Sequence, residues 1–367
     1  MKFHKKILLV SSEFPPQPGG IGDHTFNLAN QFSLNSFEVT VLVDCRSESG
    51  IEEKVFDKKL PFLVERILVK KQRWKMYVKR ISMLFSIIKK YDIIIASGKF
   101  SLWAVAFVSL FYKKKHIAII HGSEVNFTSF LNRTLINNSL KRFQKIIAVS
   151  NYTKSLIAHL KINNIVVIPN GYNLEKWEDK NEEKIIVKGN PNLITVGNVT
   201  QRKGQLNVIK LLPEIIKKYP NLQYHCVGIP TEKEYFLSEA KRLEVDKHII
   251  FYGRVSVEKL QQLLMISDIC VMLSGETKTG DVEGFGIAIL EANALGIPAI
   301  GSKNCGIEDA ISENNSGILI SNTSSEEFIN AIDKISSNYA HFSLESKKWA
   351  AQHTWDIIIK KYLKVLD

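Results

Sequence analysis

Two glutamates eight residues apart bracket a glycine-broken segment, Glu283-Gly284-Phe285-Gly286-Ile287-Ala288-Ile289-Leu290-Glu291-Ala292. The glycines interrupt regular structure, and the run from Ile287 predicts a helix start. Glu283 then lies just outside the helix and Glu291 about one turn inside it, ~6 Å along the axis. The amides of Phe285, Gly286 and Ile287 fall beside Glu283 and can hold phosphate oxygens. Two carboxylates flanking a phosphate cradle suit hydroxyl pairs, one on a sugar and one on a ribose. The plain alternative is a helix N-terminal acid and an unrelated surface acid.

Three further clusters carry chemistry. Arg202 and Lys203, in Gln201-Arg202-Lys203-Gly204, follow the strand that ends at Gly197, where two adjacent cations can neutralise a diphosphate. A solvated basic loop would read the same way. His121, in His121-Gly122-Ser123-Glu124, sits where a strand ends, the position from which a side chain reaches the ligand crevice of an open α/β sheet. Pro18-Gly19-Gly20-Ile21-Gly22-Asp23 follows the first strand and opens a helix, so Gly20 and Gly22 allow close backbone approach to a phosphate or sugar. It lacks the G-x-G-x-x-G spacing, and a tight strand-to-helix turn explains it equally. Asp281-Val282-Glu283 resembles a metal-binding acid pair, but Glu283 is already committed to the sugar, and no metal is required.

The elements that must position these residues alternate. Near-continuous apolar runs at 7–11, 38–43, 93–97, 116–121, 146–150 and 165–169 predict parallel strands covered on both faces, with helical lengths between them at 21–32 and 74–90. A turn at Asn170-Gly171-Tyr172-Asn173 and a charged stretch over 175–188 predict a linker. The pattern then restarts, with strands at 193–197, 224–228, 249–253, 269–274, 298–302 and 317–320. The predicted fold class is α/β, two Rossmann-like doubly wound parallel-sheet domains, 1–170 and 171–354, facing a cleft. Residues 355–367 are expected to form an amphipathic helix returning to the N-terminal domain.

The 367 residues, 45% hydrophobic and 23% charged, suit two domains and exclude a disordered or collagen-like chain. Four scattered cysteines and no CxxC pair argue against a zinc cage or a disulfide framework. The N-terminal apolar run is too short for a signal peptide, and the longest apolar stretch, 102–112, is too short to span a membrane. Residues 1–170 hold 26 Lys+Arg against 11 Asp+Glu, whereas 171–367 hold 23 against 26. A basic half faces nucleic acid, anionic lipid or an anionic substrate.

Taken in order, these motifs resemble glycosyltransferase family 4, retaining enzymes of the GT-B fold. The resemblance covers essentially the whole chain: Gly19-Gly20, His121-Gly122, Ala148-Val149-Ser150-Asn151, Ile168-Pro169-Asn170-Gly171, Thr195-Val196-Gly197 with Arg202-Lys203-Gly204, Glu283 to Glu291, and Trp355. Asp281-Val282-Glu283-Gly284-Phe285-Gly286 is especially similar to bacterial mannosyltransferases of the phosphatidylinositol-mannoside type, which points to GDP-mannose, with a UDP-sugar as the other donor. The resemblance implies that Gly20 and its neighbours, Gly22 among them, close over the donor phosphates, and that His121 contacts the transferred sugar. It implies that Lys203 and Arg202 balance the leaving diphosphate beyond Gly197. Glu283 and the amides of Phe285, Gly286 and Ile287 would hold sugar and phosphate, and Glu291 the ribose. It further implies a metal-independent hexosyltransferase, acting on a lipid-linked or glycan acceptor in cell-surface polysaccharide or glycolipid synthesis. Two departures stand out: Gly197-Asn198 where the family often has Gly-Arg, and Tyr172-Asn173 where its hinge turn has Val-Asp. The competing readings are a GT-B-fold sugar-nucleotide epimerase and a basic nucleic-acid-binding protein. The surplus of cations in helices rather than on exposed strands argues against the second.

Residues 70–90 carry eight cations and no acid, with Trp74, Tyr77, Ile81, Leu84, Phe85 and Ile88 at three- and four-residue steps. That spacing predicts either a helix lying on an anionic membrane surface or an ordinary domain helix whose apolar stripe packs on the sheet and whose basic face is solvated; the two coexist where the apolar face is inward and only the cations touch lipid. The expected location is cytoplasmic, peripheral on the inner face of the plasma membrane.

Overall fold

A computed structural model describes residues 5–68, 73–177 and 189–366. Backbone contacts divide the chain into two compact units, Met1–Asn170 with Trp355–Asp367, and Gly171–Thr354. Most of the linker segment, 178–188, lies outside the described residues.

In the first unit, strands β1 (Lys6–Ser11), β2 (Glu38–Cys45), β3 (Leu63–Leu68), β4 (Ile93–Ser97), β5 (Lys115–Ile120), β6 (Lys145–Ala148) and β7 (Ile165–Val167) alternate with helices. These are α1 (Gly20–Leu34), α2 (Ile51–Asp57), α3 (Arg73–Ile87), α4 (Lys99–Val108), α5 (Phe130–Leu140) and α6 (Asn151–Ser155). The strands form one parallel sheet in the order β3-β2-β1-β4-β5-β6-β7. Leu9 lies opposite Val41 on one side and Ile95 on the other. Helices cover both faces, so the central strands are apolar at nearly every position. Leu8, Val10, Leu42, Ile94, Ala96 and Ile120 share a core with Leu102 and Val105 of α4 and Leu84 of α3. Each buried aliphatic side chain of this kind contributes roughly 1.5–3 kcal/mol.

The second unit has strands β8 (Asn192–Val196), β9 (Gln223–Val227), β10 (Ile249–Gly253), β11 (Ile269–Met272), β12 (Ala299–Ser302) and β13 (Gly317–Ile320). Its helices are α7 (Gln205–Lys218), α8 (Lys233–Arg242), α9 (Val257–Met265), α10 (Ile287–Ala294), α11 (Ser325–Ser337) and α12 (Tyr339–Ala351). The parallel order is β10-β9-β8-β11-β12-β13. The last helix, α13 (Trp355–Leu366), belongs to the first unit, where the Leu366 carbonyl accepts from Lys115 Nζ at 2.7 Å. Strand order reverses between β1 and β4 in one sheet and between β8 and β11 in the other. Open α/β sheets bind ligands at the carboxyl ends of strands beside such a reversal.

Several elements escape the apolar-run criterion. Edge strand β3 alternates exposed with partly buried positions, so it shows no continuous run. The apolar stretch at 102–112 is largely α4, a helix hydrophobic nearly all round because it is packed between α3, α5 and the sheet.

Helix α3 corrects the sequence reading of its faces. Arg80, expected among the lipid-facing cations, is 1% exposed and ion-paired to Asp44, with its guanidinium 4.3 Å from the Phe100 ring centroid. Trp74, expected on the inward stripe, is 62% exposed beside exposed Lys75, Val78 and Lys79. The inward stripe is Met76, Arg80, Leu84 and then Ile88 just past the helix end, a clean four-residue step. Lys70, Lys71 and Gln72 lie outside the described residues. No helix among the described residues is long and apolar enough to cross a membrane.

Candidate active site

In the second unit the loops after β8 and β11 meet at the strand-order reversal. Gly204, with φ 83°, is pressed against the Leu273 carbonyl. A Cβ there would lie 2.1 Å from that oxygen, so only glycine fits. Gly197, with φ 148°, leaves room for the Lys203 stem, whose Cε would be 3.1 Å from an added Cβ. Lys203 thereby lies back across the end of β8. Its Nζ is 2.8 Å from Glu283 Oε2, and Arg202 Nη1 donates to the same oxygen. Arg202 also reaches Asp281, its Nε 3.2 Å from Oδ2. The apparent acid pair Asp281 and Glu283 is therefore bridged by arginine.

Glu283 is 8% exposed. Burial pushes its carboxyl pKa up, but the Lys203 and Arg202 charges and hydrogen bonds outweigh that and hold it below the ordinary value. The group is an ionised carboxylate clamped between two cations. Its carbonyl accepts from Gly306 N at 3.0 Å, and a Cβ on Gly306 would strike Gly284 at 2.1 Å, so backbone packing fixes the segment. Gly286, with φ 92°, caps α10 and turns the chain into it. The Phe285 side chain is buried, which leaves only its amide for a ligand. Ile287 begins α10, and Glu291 lies one turn along it, half-buried. The structure thus gathers Gly197, Arg202, Lys203, Glu283, Phe285, Gly286 and Ile287 at one end of the second sheet.

The first unit holds the remaining residues. Gly20 and Gly22 open α1 but differ in surroundings. A Cβ on Gly22 would lie 2.9 Å from Phe14 N, whereas one on Gly20 would meet nothing within 4 Å. Gly22 lets α1 pack on the preceding loop, and Gly20 leaves open space. Arg46 Nη1 grips this loop by donating to the Pro18 carbonyl at 3.1 Å. His121 follows β5. Its Nε2 is 2.9 Å from Ser97 Oγ, and its ring stands edge-on to His24 with centroids 5.0 Å apart. Burial pushes its pKa down to about 4, so the imidazole is neutral at pH 7.

Two residues without a sequence-level role complete this cluster. Glu124 is buried and accepts from the His121 backbone N–H, and burial pushes its carboxyl up to about 7. His24 is buried in α1 and hydrogen-bonds Tyr362 of α13 at 3.0 Å, with Trp355 packed on it at 5.3 Å. The i, i+3 spacing in His121-Gly122-Ser123-Glu124 was visible in the sequence, whereas the pairing of His24 with Tyr362 spans the chain and had no local signal.

Residues 18–176 match the model of Glycosyltransferase Family 4, and residues 175–352 match that of Glycosyl transferases group 1. The chain belongs to the family 4 glycosyltransferases. This glycosyltransferase is 23% identical over 346 residues to the GDP-mannose-dependent alpha-(1-6)-phosphatidylinositol monomannoside mannosyltransferase of Mycolicibacterium smegmatis, covering 89% of this chain and 88% of the relative. It is 24% identical over 398 residues to the GDP-mannose-dependent monoacylated alpha-(1-6)-phosphatidylinositol monomannoside mannosyltransferase of Corynebacterium glutamicum, covering 100% and 99%. Among solved structures, Anabaena HepE in complex with UDP and glucose superposes with a TM-score of 0.81 at 18% identity, covering 99% of each chain. The two doubly wound units of this glycosyltransferase are those of the GT-B fold.

Proposed function

We propose that the protein moves a hexose from a nucleoside-diphosphate sugar to a lipid-linked or glycan acceptor with retention of anomeric configuration. One observation carries this reading: Arg202 and Lys203 converge on the Glu283 carboxylate just before the N-terminus of α10. A diphosphate arriving there exchanges partners with Glu283. The cations and the first amides of α10 take the phosphate oxygens, and Glu283 is released to the sugar hydroxyls. Glu291, one turn on, takes the ribose diol.

In the reaction the bond from the anomeric carbon to the diphosphate oxygen breaks, and a bond to the acceptor oxygen forms on the same face. The acceptor proton goes to the departing phosphate oxygen. Negative charge builds on the diphosphate, so preorganised cations and helix amides lower the barrier more than any base would. These groups supply the positive charge that a metal would otherwise bring, so no metal is needed. To the first unit we assign the acceptor side, with the open space at Gly20 and the neutral imidazole of His121 serving the transferred sugar. The relatives above favour GDP-mannose as donor, and Anabaena HepE, bound to UDP, keeps a UDP-sugar in play. The exposed Trp74, Lys75, Val78 and Lys79 of α3 support docking on an anionic membrane surface.

A thermal-shift screen over nucleotides and nucleotide sugars tests the donor side. A ligand at 100 times its Kd stabilises by ~2.7 kcal/mol. If GDP, UDP and their sugars all leave the melting temperature unchanged, the reading fails.

A further inference from the structure

His24 and Ser97 act on the His121 imidazole in different ways. His24 stands edge-on to it, with ring centroids 5.0 Å apart and planes at 80°. His24 is itself held fast. It is 1% exposed, its Nε2 lies 3.0 Å from Tyr362 Oη, and the Trp355 ring packs on it with centroids 5.3 Å apart. Trp355 and Tyr362 lie two turns apart on α13 and so share one face of that helix. The main chain at His121 is fixed too. Its backbone N–H donates to Glu124, and Val125 N donates to the Gly122 carbonyl at 3.0 Å. Ring and backbone are therefore placed without help from Ser97.

Ser97 contributes something else. It ends β4, is 2% exposed, and its Oγ lies 2.9 Å from His121 Nε2. Among the described residues that is the only hydrogen bond of the hydroxyl. A neutral imidazole donates at one ring nitrogen and accepts at the other, and its neighbours decide which does which. If Nε2 carried the proton and donated to Oγ, the hydroxyl proton would be buried with nothing to receive it, a costly state. If the hydroxyl donates to Nε2, that buried proton is matched, and the imidazole proton goes to Nδ1. Nδ1 has no partner among the described residues, and His121 is only partly buried, so its N–H is left for a ligand.

We propose that Ser97 is a positioning residue that fixes the tautomer of His121, leaving Nδ1–H as a hydrogen-bond donor to an oxygen of the transferred sugar. This deepens the proposed function and rests on its assignment of His121 to that sugar. The chemistry favours such a donor. As the glycosidic bond breaks, negative charge leaves with the diphosphate and positive charge gathers on the sugar. An imidazolium beside the sugar would oppose that charge, whereas a neutral N–H binds a sugar oxygen without opposing it. Burial keeps the ring neutral, with its pKa down to about 4, and Ser97 decides which nitrogen donates.

The test reads the tautomer directly. The full chain, labelled with nitrogen-15 at histidine, is examined at pH 7 by long-range proton–nitrogen correlation, with His121→Asn identifying the His121 signals. Wild type is expected to carry the proton on Nδ1. Ser97→Ala, which removes only the hydroxyl from a buried site, should move the proton partly or wholly to Nε2. Ser97→Thr keeps the hydroxyl at a strand position that suits a β-branched residue and should restore Nδ1. In parallel, kcat/KM is measured for the nucleotide sugar that stabilises the chain best, as nucleotide released, beside the Kd of the bare GDP or UDP. Ser97→Ala should lower kcat/KM about fivefold, the worth of one neutral hydrogen bond, with the nucleotide Kd unchanged. Ser97→Thr should recover it. A loss of folding alone would instead show in the melting temperature and would move the nucleotide Kd as well. A wild-type proton on Nε2, an unshifted tautomer in Ser97→Ala, or unchanged kcat/KM in that variant each overturns the proposal. If no nucleotide sugar is turned over, the transferase reading has failed instead, and the tautomer in wild type and Ser97→Ala still decides this one.

Discussion

Lys203 Nζ lies 2.8 Å from Glu283 Oε2, so the carboxylate assigned to the sugar and the cation assigned to the diphosphate begin as each other's partner. Each is pre-placed by the other, and both must be present for the exchange. Lys203→Ala and Glu283→Ala are therefore each expected to lower turnover on the order of 10²–10³-fold, the loss of one preorganised electrostatic group. Their stabilities should diverge. Glu283→Ala takes the carboxylate from Lys203 while Arg202 keeps Asp281, whereas Lys203→Ala still leaves Arg202 on the Glu283 carboxylate. Steady-state kinetics with circular dichroism checks both points, and near-normal turnover by either variant would remove that residue from the site.

The two glycines of the first loop should separate structure from chemistry. Gly22→Ala forces a Cβ to 2.9 Å from Phe14 N and should lower stability by ~1–3 kcal/mol. Gly20→Ala meets no protein atom and sits at the first position of α1, where alanine is the better helix former. Its melting temperature should hold or rise while turnover falls, because the space it fills is the ligand's. Full activity in a stable Gly20→Ala protein would show that no ligand approaches there.

How much of this was legible beforehand depends on the range of the interaction. Glu283, Gly286 and Glu291 lie within nine residues, so glycine, helix onset and carboxylate spacing read directly. The strands of both sheets were legible because parallel strands covered on both faces are apolar without interruption. The edge strand β3 and the all-apolar α4 were not, since one alternates and the other has no polar face. Arg80 shows the harder limit. Its place on α3 reads as a surface cation, and only the approach of Asp44, 36 residues away on β2, turns it inward.

Glu53 makes the acid side of stability testable. Its buried carboxylate accepts from Arg46 N at 3.0 Å, from Ser47 N at 2.7 Å and from Ser47 Oγ. Burial alone would raise its pKa, but these bonds hold it at about 2, against 4.5 for an ordinary glutamate. In that window the unfolded chain binds the proton and the folded one does not, so stability rises with pH. The contribution, up to about 3 kcal/mol, is complete above pH 4.5 and is lost as pH falls toward 2. Denaturation of Glu53→Gln should show a smaller loss between those values than the wild type. Parallel curves for the two proteins would refute the assignment.

Glu124 has the opposite sign. Its folded pKa is raised to about 7 by burial, so the folded chain holds the proton where the unfolded one has released it. The stability associated with it is greatest below pH 4.5 and declines as pH rises through 7. Above 7 the carboxylate accepts the His121 backbone N–H as an ion, a stronger bond that holds the strand end more firmly. Turnover should therefore carry an ionisation near 7 that Glu124→Gln abolishes while nucleotide affinity is unchanged. An unaltered pH–rate profile in that variant would leave Glu124 with a purely structural place.

The outward face of α3 decides the membrane question. Arg80 is inside, and Lys75 and Lys79 are exposed cations of this helix beside exposed Trp74 and Val78. Each cation near an anionic surface contributes ~1 kcal/mol, and an indole adds interfacial burial. At the start of α5, Phe130 and Leu131 are 79% and 77% exposed, a second apolar pair with no intramolecular cover. Co-sedimentation with anionic vesicles at low salt should weaken about tenfold or more when Lys75→Gln and Lys79→Gln are combined, as two such cations imply. It should weaken further with Trp74→Ser, and it should fall with added salt. Arg80→Gln should instead destabilise the fold, because it leaves Asp44 buried without its partner, at a cost of roughly 3–5 kcal/mol. Vesicle binding indifferent to Lys75, Lys79 and Trp74 would show that α3 faces water and that the acceptor is reached some other way.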